Sequence, residues 1–222
     1  MSKEIAFTVR WKEGVMEVMF EASRVLLAGY TGRNQEVVRR HIEELKKIGV
    51  PAPEKVPTLY RVASYLITND KEVEIKGDKT SGEVEYAILM GDEDIYVTVG
   101  SDHTDRELEK VNVEKAKQMC QKIIAKEVWL YSEMKDHWDN VILRSYAIKE
   151  GKKVLYQEDK LKALLGVEDL LKEFNIKERG TVLFSGTIRL RGKLIYADEF
   201  QIEMEDSELD RIIRHQYRVH II

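Results

Sequence analysis

Cysteine, proline and long apolar runs are scarce in this chain of 222 residues. Its one cysteine, Cys120, excludes an internal disulfide, and no local motif supports that thiol as a nucleophile. No apolar run approaches the roughly 20 residues that cross a bilayer, and Met-Ser-Lys-Glu at the N-terminus lacks the apolar stretch of a secretory signal. We therefore predict a cytoplasmic protein with no membrane partner.

The charge of the chain shows no excess of basic residues. The net charge is -4, acidic and basic residues are interspersed, and apolar residues make up 43% of the sequence. A surface for nucleic acid needs clustered lysine and arginine, so we predict no nucleic acid partner. The length and apolar content suffice for one globular domain, which we place at residues 1–222.

Apolar residues recur mostly with the period of β-strands. Residues 1–24 are predicted to form an N-terminal hairpin, whereas helical periodicity is confined to residues 34–48, 112–124 and 160–174. All three prolines, Pro51, Pro53 and Pro57, follow the first of these helices, so residues 33–60 are predicted to form a helical lid and a stiff connector. We predict an α+β fold rich in β-strands, with a mixed β-sandwich or roll.

The clearest chemical signal is a predicted hairpin that carries three acidic side chains. Two apolar strands, 84–90 and 95–99, flank a short loop, and pairing Met90 with Ile95 sets Glu83 opposite Asp102 and Glu85 opposite Gly100. Directly opposed residues share a face and side chains alternate with period two, so the three carboxylates should converge. We expect Gly100 to leave open space beside them.

Three crowded carboxylates repel one another unless a cation or protons neutralise them. Glu83, Glu85 and Asp102 offer only oxygen ligands, which favour Mg2+, Mn2+ or Ca2+ over zinc or copper. The alternative is that the Glu-x-Glu pair merely lies on a solvated sheet face. Ala87 and Leu89 argue against it because they should lie on the same face as the glutamates.

The first predicted helix carries His41 and Glu44, which are three residues apart and therefore lie on one face. A carboxylate that orients an imidazole creates a base able to activate water near neutral pH. The alternative is a surface ion pair, which is common on helices of mixed charge.

Several segments together resemble the fumarylacetoacetate hydrolase superfamily, and the chain looks like an uncharacterised branch of it. The order and spacing of the matching motifs hold from about residue 25 to the C-terminus. These motifs are Gly29-Tyr30, the His41-x-x-Glu44 pair, Gly49, the prolines and Tyr60, then Gly82-Glu83-Val84-Glu85, then Asp102 and Arg106, a lysine at 117 or 122, and Gly180 to Gly186-Thr187.

The resemblance implies a fold of the superfamily's C-terminal-domain type and a Mg2+- or Mn2+-dependent enzyme. Its substrate would be a small 2-oxo acid or 1,3-dicarbonyl acid, such as an acylpyruvate, cleaved at a C–C bond, and a homodimer is implied by analogy. By the same resemblance Glu83, Glu85 and Asp102 bind the metal, and His41 with Glu44 activates water. Lys117, with Lys122 as the other candidate, stabilises the oxyanion, and Thr187 with the backbone N–H of Gly186 binds the substrate carboxylate. Arg106 is a candidate clamp for the substrate, with a structural ion pair as the alternative, and Tyr30 and Tyr60 either line the pocket or pack in the core.

The chain also departs from the superfamily pattern. Ser101 replaces the usual Asn, Ile188-Arg189-Leu190 follows Thr187 where Pro and Gly are typical, and the residues around Lys117 lack the usual motif. Metal-dependent decarboxylation, hydration or isomerisation of 2-oxo acids therefore stays open, as does a homologue that binds a small acid without turnover.

Overall fold

The structure is a computed structural model that describes residues 2–222. It contains three α-helices and seventeen strands within those residues. The helices are α1 (Gln35–Lys47), α2 (Val113–Gln118) and α3 (Val167–Glu173). The strands are β1 (Lys3–Trp11), β2 (Gly14–Ala22), β3 (Arg24–Gly29), β4 (Thr58–Val62), β5 (Ile67–Thr68), β6 (Glu72–Ile75), β7 (Thr80–Ser81), β8 (Val84–Met90), β9 (Ile95–Asp102), β10 (Thr104–Asp105), β11 (Lys122–Ile124), β12 (Glu127–Leu130), β13 (Ile142–Lys149), β14 (Lys152–Lys160), β15 (Thr181–Phe184), β16 (Glu199–Asp206) and β17 (Arg211–Ile221).

Two large sheets build the fold, and β7 and β10 form a separate two-stranded sheet. The larger sheet has ten strands in the order β2-β1-β12-β9-β8-β15-β3-β4, with β11 pairing to β9 and β5 at its side. The smaller sheet has five strands in the order β14-β13-β16-β17-β6. Parallel pairs such as β1 with β12 and β15 with β3 join segments that lie far apart in the sequence. The architecture is therefore a mixed, β-rich fold.

The larger sheet is buried on both faces at its centre, because side chains on alternate positions of β8 enter different cores. Val84, Tyr86 and Ile88 pack toward the smaller sheet, where they meet residues such as Met204. Ala87 and Leu89 face the opposite way, into a core formed by the curled larger sheet itself. Glu83 and Glu85 share that second face, as the alternation predicted.

The register of the β8–β9 hairpin agrees with the sequence prediction. Met90 pairs with Ile95 and Glu85 pairs with Gly100. The ladder continues one residue beyond β8, since the Asp102 N–H donates to the Glu83 carbonyl at 3.0 Å. Glu83 and Asp102 therefore lie opposite each other at the open end of the hairpin.

The first helix is also confirmed, and its ends follow from capping. The Asn34 side chain accepts hydrogen bonds from the backbone N–H groups of Glu36 and Val37, which begins α1. Gly49 has a φ of 98°, which other residues rarely adopt, just after the helix ends. Only Val38 of this helix is buried, so α1 lies mostly in solvent.

The two other predicted helices are wrong in part. The predicted helix at 112–124 ends with α2 at Gln118, and residues 122–124 form strand β11 instead. The predicted helix at 160–174 begins only at Val167, because β14 extends to Lys160 and a 3-10 turn follows. At 122–124 the apolar residues are buried because β11 pairs with β9 and β5, whereas Leu161 and Leu164 are buried in the core by the 3-10 turn after β14. No helix among residues 2–222 is long and apolar enough to cross a membrane.

Candidate metal centre

Three carboxylates meet where β8 begins and β9 ends. One carboxylate oxygen from each of Glu83, Glu85 and Asp102 lies within 4.8 Å of the other two. Local alternation places them on one face, and the antiparallel register brings the strands' ends together. The convergence expected from the sequence is therefore present in the structure.

Glu85 is more deeply buried than Glu83. It is fully buried, and its Oε2 accepts a hydrogen bond of 2.7 Å from the backbone N–H of Gly186. Burial, followed by the negative charge of Asp102, raises the pKa of Glu85 well above its ordinary value. Glu85 thus prefers a proton or a nearby cation.

Gly186 can place its N–H against Glu85 because it has no side chain. Its φ is 86°, and an added Cβ would lie 2.4 Å from Thr31 Oγ1. The Thr31 hydroxyl is itself fixed, since it donates to the Ser185 carbonyl at 2.6 Å. The turn after β15 therefore requires glycine at this position.

Asp102 is completely buried between two lysines. Lys122 lies directly opposite Asp102 in the β9–β11 pair, and its Nζ donates to the His103 carbonyl at 2.6 Å. Lys117, from α2, donates to Asp102 Oδ2 and lies 3.5 Å from Glu83 Oε2. Burial opposes ionisation of Asp102, but the charges of Lys117 and then Lys122 lower its pKa to about 2.

The two lysines respond differently to burial. Desolvation dominates for Lys122, so its pKa is lowered despite the attraction of Asp102. Burial also disfavours the charged form of Lys117, yet Asp102 and Glu83 together raise its pKa above the ordinary value. Lys117 is therefore held as an ammonium group, and both candidates for the active-site lysine contact the same aspartate.

Each guanidinium nitrogen of Arg106 already has a partner within the protein. Its Nε donates to Ser81 Oγ at 2.7 Å, and its Nη2 lies 3.1 Å from Glu83 Oε1. The remaining nitrogen, Nη1, pairs with Glu109 at 3.0 Å. Arg106 thus orients Glu83, and Glu109, which no sequence motif indicates, completes the chain of ion pairs.

The residues present suit a divalent cation. All donors are oxygens, as Mg2+ and Mn2+ prefer. Asp102 Oδ1 is buried and accepts no hydrogen bond of good geometry, although Lys122 Nζ lies 2.9 Å away. A buried acceptor with a free lone pair and a buried glutamate that resists ionisation are both satisfied by a metal ion.

A buried polar chain supports β9 behind the carboxylates. Ser101 Oγ accepts a hydrogen bond from the Glu83 N–H at 3.2 Å and lies 2.9 Å from the Tyr217 hydroxyl. That hydroxyl lies 3.0 Å from His103 Nδ1, and His103 Nε2 lies 2.9 Å from Thr80 Oγ1. Burial lowers the pKa of His103 well below its ordinary value, which keeps the ring neutral.

Gly100 does not leave open space, so that expectation was wrong. An added Cβ there would lie 2.6 Å from the ring of Phe184 and 2.9 Å from the Ile123 carbonyl. The glycine instead permits close packing of Phe184, which comes from β15, and of β11. The face beside the carboxylates is therefore filled with protein.

A family model described as "Protein of unknown function (DUF2848)" matches residues 28–217 of this sequence. The chain belongs to the DUF2848 family. The sequence has no match among curated proteins.

Solved structures show the fold of this DUF2848 protein. A candidate fumarylacetoacetate isomerase/hydrolase from Oleispira antarctica matches with a TM-score of 0.66 and 19% identity, over 89% of this chain and 93% of that one. Yeast ynq8, a fumarylacetoacetate hydrolase family protein, gives a TM-score of 0.59 and 16% identity, over 90% and 94%. A 2-keto-3-deoxy-D-arabinonate dehydratase complexed with magnesium and 2,5-dioxopentanoate gives 0.62 and 16%, over 93% and 76%. The predicted fold class is confirmed, and the chain shares the fold of these fumarylacetoacetate hydrolase family proteins.

The structure of the DUF2848 chain does not bring His41 and Glu44 to the carboxylates. His41 Nδ1 lies 3.8 Å from Glu44 Oε2 on the outer face of α1, where the side chains are 50% and 70% exposed. Within residues 2–222, neither side chain contacts Glu83, Glu85 or Asp102. Their catalytic role stays a prediction that requires α1 to move.

The predicted substrate-binding residues lie around the cluster, but most are already engaged. The Thr187 hydroxyl donates to the Val84 carbonyl at 2.8 Å and accepts from Gln157 Nε2 at 2.8 Å. Burial, followed by Tyr60 and by Glu109, raises the pKa of Tyr30 to about 12, and Lys117 opposes that shift. Tyr30 and Tyr60 thus lie within the electrostatic reach of the site, and their contact with substrate stays a prediction.

Proposed function

We propose that this protein is a divalent-metal-dependent enzyme that acts on a small 2-oxo acid or 1,3-dicarbonyl acid. The observation that carries the proposal is the convergence of Glu83, Glu85 and Asp102, whose oxygens lie within 4.8 Å of one another in a largely buried site. The magnesium ion in a dehydratase of the same fold supports it. Mg2+ or Mn2+ suits the oxygen donors best, and Ca2+ is compatible with them.

The charge of the site supports an anionic substrate. Four carboxylates, from Glu83, Glu85, Asp102 and Glu109, face three cationic side chains, from Arg106, Lys117 and Lys122. With all groups ionised, the set carries one net negative charge without a divalent ion and one net positive charge with it. A small acid that chelates through a carboxylate and a neighbouring keto oxygen complements that positive charge.

A divalent ion held by Glu83, Glu85 and Asp102 would act as a Lewis acid that draws electron density from the keto acid. Lys117 carries the ammonium group best placed to stabilise a developing oxyanion, because it lies at the outer side of Asp102. Gly186 and Thr187 use their hydrogen bonds on Glu85 and Val84. These two hydrogen bonds hold the site in place. Gly186 and Thr187 would therefore bind the substrate only after giving up their bonds to Glu85 and Val84.

The hydrolytic version of the proposal adds water as the second reactant. His41, oriented by Glu44, would take a proton from water as the oxygen attacks the distal carbonyl of an acylpyruvate. The C–C bond then breaks with its electron pair moving to the 2-oxo acid fragment as an enolate, His41 returns its proton to the enolate carbon, and a carboxylic acid and pyruvate leave. This version requires α1 to close over the site from its present solvent-exposed position.

A decarboxylase of an oxaloacetate-like acid is the second candidate. The assembled carboxylates and lysines favour it, because decarboxylation needs the metal but no attacking water, and His41 is 50% exposed and outside the cluster. Hydration or isomerisation would again need His41 as a proton carrier. The two candidates therefore differ in whether His41 matters.

The test is an assay of the metal-stripped protein with Mn2+ or Mg2+ restored, against acylpyruvates and oxaloacetate. His41→Ala is compared with His220→Ala, a matched control in which the imidazole also pairs with a glutamate, Glu72, at 3.5 Å on the surface. Cleavage of acylpyruvate that is lost only in His41→Ala supports the hydrolase. Decarboxylation that survives both changes supports the second candidate.

Glu85→Gln should abolish turnover in either case. Stabilisation by Mn2+ and a 2-oxo acid without any product would indicate a binding protein that has no activity. Absence of any metal effect in the unaltered protein would overturn the proposal. Sedimentation analysis of the same sample tests the homodimer that the family resemblance predicts.

A further inference from the structure

Two lysines contact Asp102, but they are held in different ways. Lys122 is completely buried in β11, and its ammonium group donates to a backbone carbonyl as well as facing Asp102. Lys117 projects from the six-residue helix α2 and remains 8% exposed. Within residues 2–222, the hydrogen-bond partners of Lys117 Nζ are carboxylates alone, those of Asp102 and Glu83. The backbone thus helps to hold the Lys122 ammonium group in place, whereas carboxylates alone hold that of Lys117.

Lys117 also lies on the accessible side of the cluster. Glu83, which it contacts at 3.5 Å, has a side chain that is 17% exposed, whereas Asp102 and Lys122 are closed off from solvent. A metal ion that arrives from solvent therefore approaches through the region that Lys117 occupies. Its positive charge would be repelled by the ammonium group there.

An ion bound to these oxygens also uses the same ligands as Lys117. Mg2+ binds carboxylate oxygens at about 2.0–2.1 Å, so an ion shared by Glu83 and Asp102 would lie in close contact with an ammonium group between those residues. Two cations cannot share that position in a site from which water is largely excluded. Since Lys122 is fixed from two sides, Lys117 is the group that can leave.

We propose that Lys117 is an internal counter-ion, which holds Glu83 and Asp102 together in the metal-free protein and moves outward when a divalent ion binds. The inference rests on the proposed metal site and adds the order in which the metal ion and the acid bind. The released ammonium group stays at the mouth of the site, beside Arg106 and Tyr30, where it attracts an anionic ligand. Metal binding therefore prepares the site for the acid substrate, and the acid binds second.

The test compares Lys117→Met with Lys115→Met, a change of an exposed lysine on the same helix. Methionine keeps the length of the side chain and removes its charge. Calorimetric titration with Mn2+ should show affinity that rises about tenfold or more in Lys117→Met and changes by less than about twofold in Lys115→Met. Oxalate, a mimic of a 2-oxo acid, should bind the Mn2+-loaded Lys117→Met protein about tenfold more weakly than the unaltered one.

The two variants should also differ without metal. Lys117→Met should melt at a lower temperature than the unaltered protein in chelator, because two carboxylates lose their counter-ion, and Mn2+ should restore most of the difference. Lys115→Met should melt like the unaltered protein under both conditions. Equal or weaker Mn2+ affinity in Lys117→Met would overturn the inference.

A measurement on the unaltered protein covers the case in which Lys117→Met does not fold. Crystals grown without metal and then soaked in Mn2+ should show Lys117 Nζ separated from Asp102 Oδ2 by more than a hydrogen-bond length. An ion bound while that contact persists would refute the displacement and leave the proposed function intact. Failure of Mn2+ to bind any of these proteins would instead overturn the metal site itself.

Discussion

Asp102→Asn is the change that bears most directly on how the site is held together. Asparagine has the same shape, but it removes the negative charge between the ammonium groups of Lys117 and Lys122. Lys122 has no exposed surface and would exchange its anionic partner for neutral acceptors such as the His103 carbonyl. Removal of one member of a buried ion pair costs about 3–5 kcal/mol, because the remaining charge stays desolvated.

This loss should be visible as a lower free energy of unfolding. For a chain of this size it corresponds to a melting temperature lower by roughly 6–20 °C. The assay is equilibrium unfolding in urea with chelator present, followed through the fluorescence of the buried Trp129 and Trp138. Asp94→Asn, in the exposed loop between β8 and β9, is the matched control and should change stability by less than about 0.5 kcal/mol.

A double-mutant cycle tests the cause. Adding Lys122→Met to Asp102→Asn removes the stranded charge, so the double variant should be less destabilised than the sum of the two single variants by about 1–3 kcal/mol. Mn2+ should raise the melting temperature of the unaltered protein but not of Asp102→Asn. A single variant that loses less than about 1 kcal/mol, or a strictly additive cycle, would refute the view that Asp102 holds two buried lysines by charge.

Two further predictions concern groups outside that ion pair. Gly186→Ala should lower the free energy of unfolding in urea by about 2–4 kcal/mol, because the new Cβ meets Thr31. It should also weaken Mn2+ binding in titrations, because the backbone N–H that is bonded to Glu85 shifts, and unchanged Mn2+ affinity would contradict this prediction. Burial lowers the pKa of His215 below its ordinary 6.5, so the unfolded chain binds a proton that the folded chain refuses, and stability falls as the pH drops through 6.5. His215→Gln, which can still donate to the Asp70 carbonyl, should reduce that loss between pH 7 and 5 by up to about 1.4 kcal/mol per pH unit, and identical slopes would contradict it.

Local patterns were enough to predict the acidic part of the site. The β8–β9 hairpin is formed by residues close together in the sequence, so alternation and a short loop set its register. The position of Glu83 opposite Asp102 follows from that register alone. For the same reason the helical period predicted over residues 34–48 agrees with α1, which Asn34 caps.

The cationic part of the site was decided by tertiary structure. Lys122 lies opposite Asp102 only because β11 inserts beside β9, and a helical period at 112–124 concealed that strand. Tyr217 reaches Ser101 from a strand more than a hundred residues away.

His41 is a further residue whose position relative to the carboxylates could not be predicted from the sequence. Its spacing to Glu44 predicted that the two side chains share one face of the helix, and they do, but spacing could not tell whether that face meets the carboxylates. Sequence patterns act over a few residues, through side-chain alternation and capping. Which charges are buried together depends on strand pairing between distant segments, and that pairing decided which lysines neutralise Asp102.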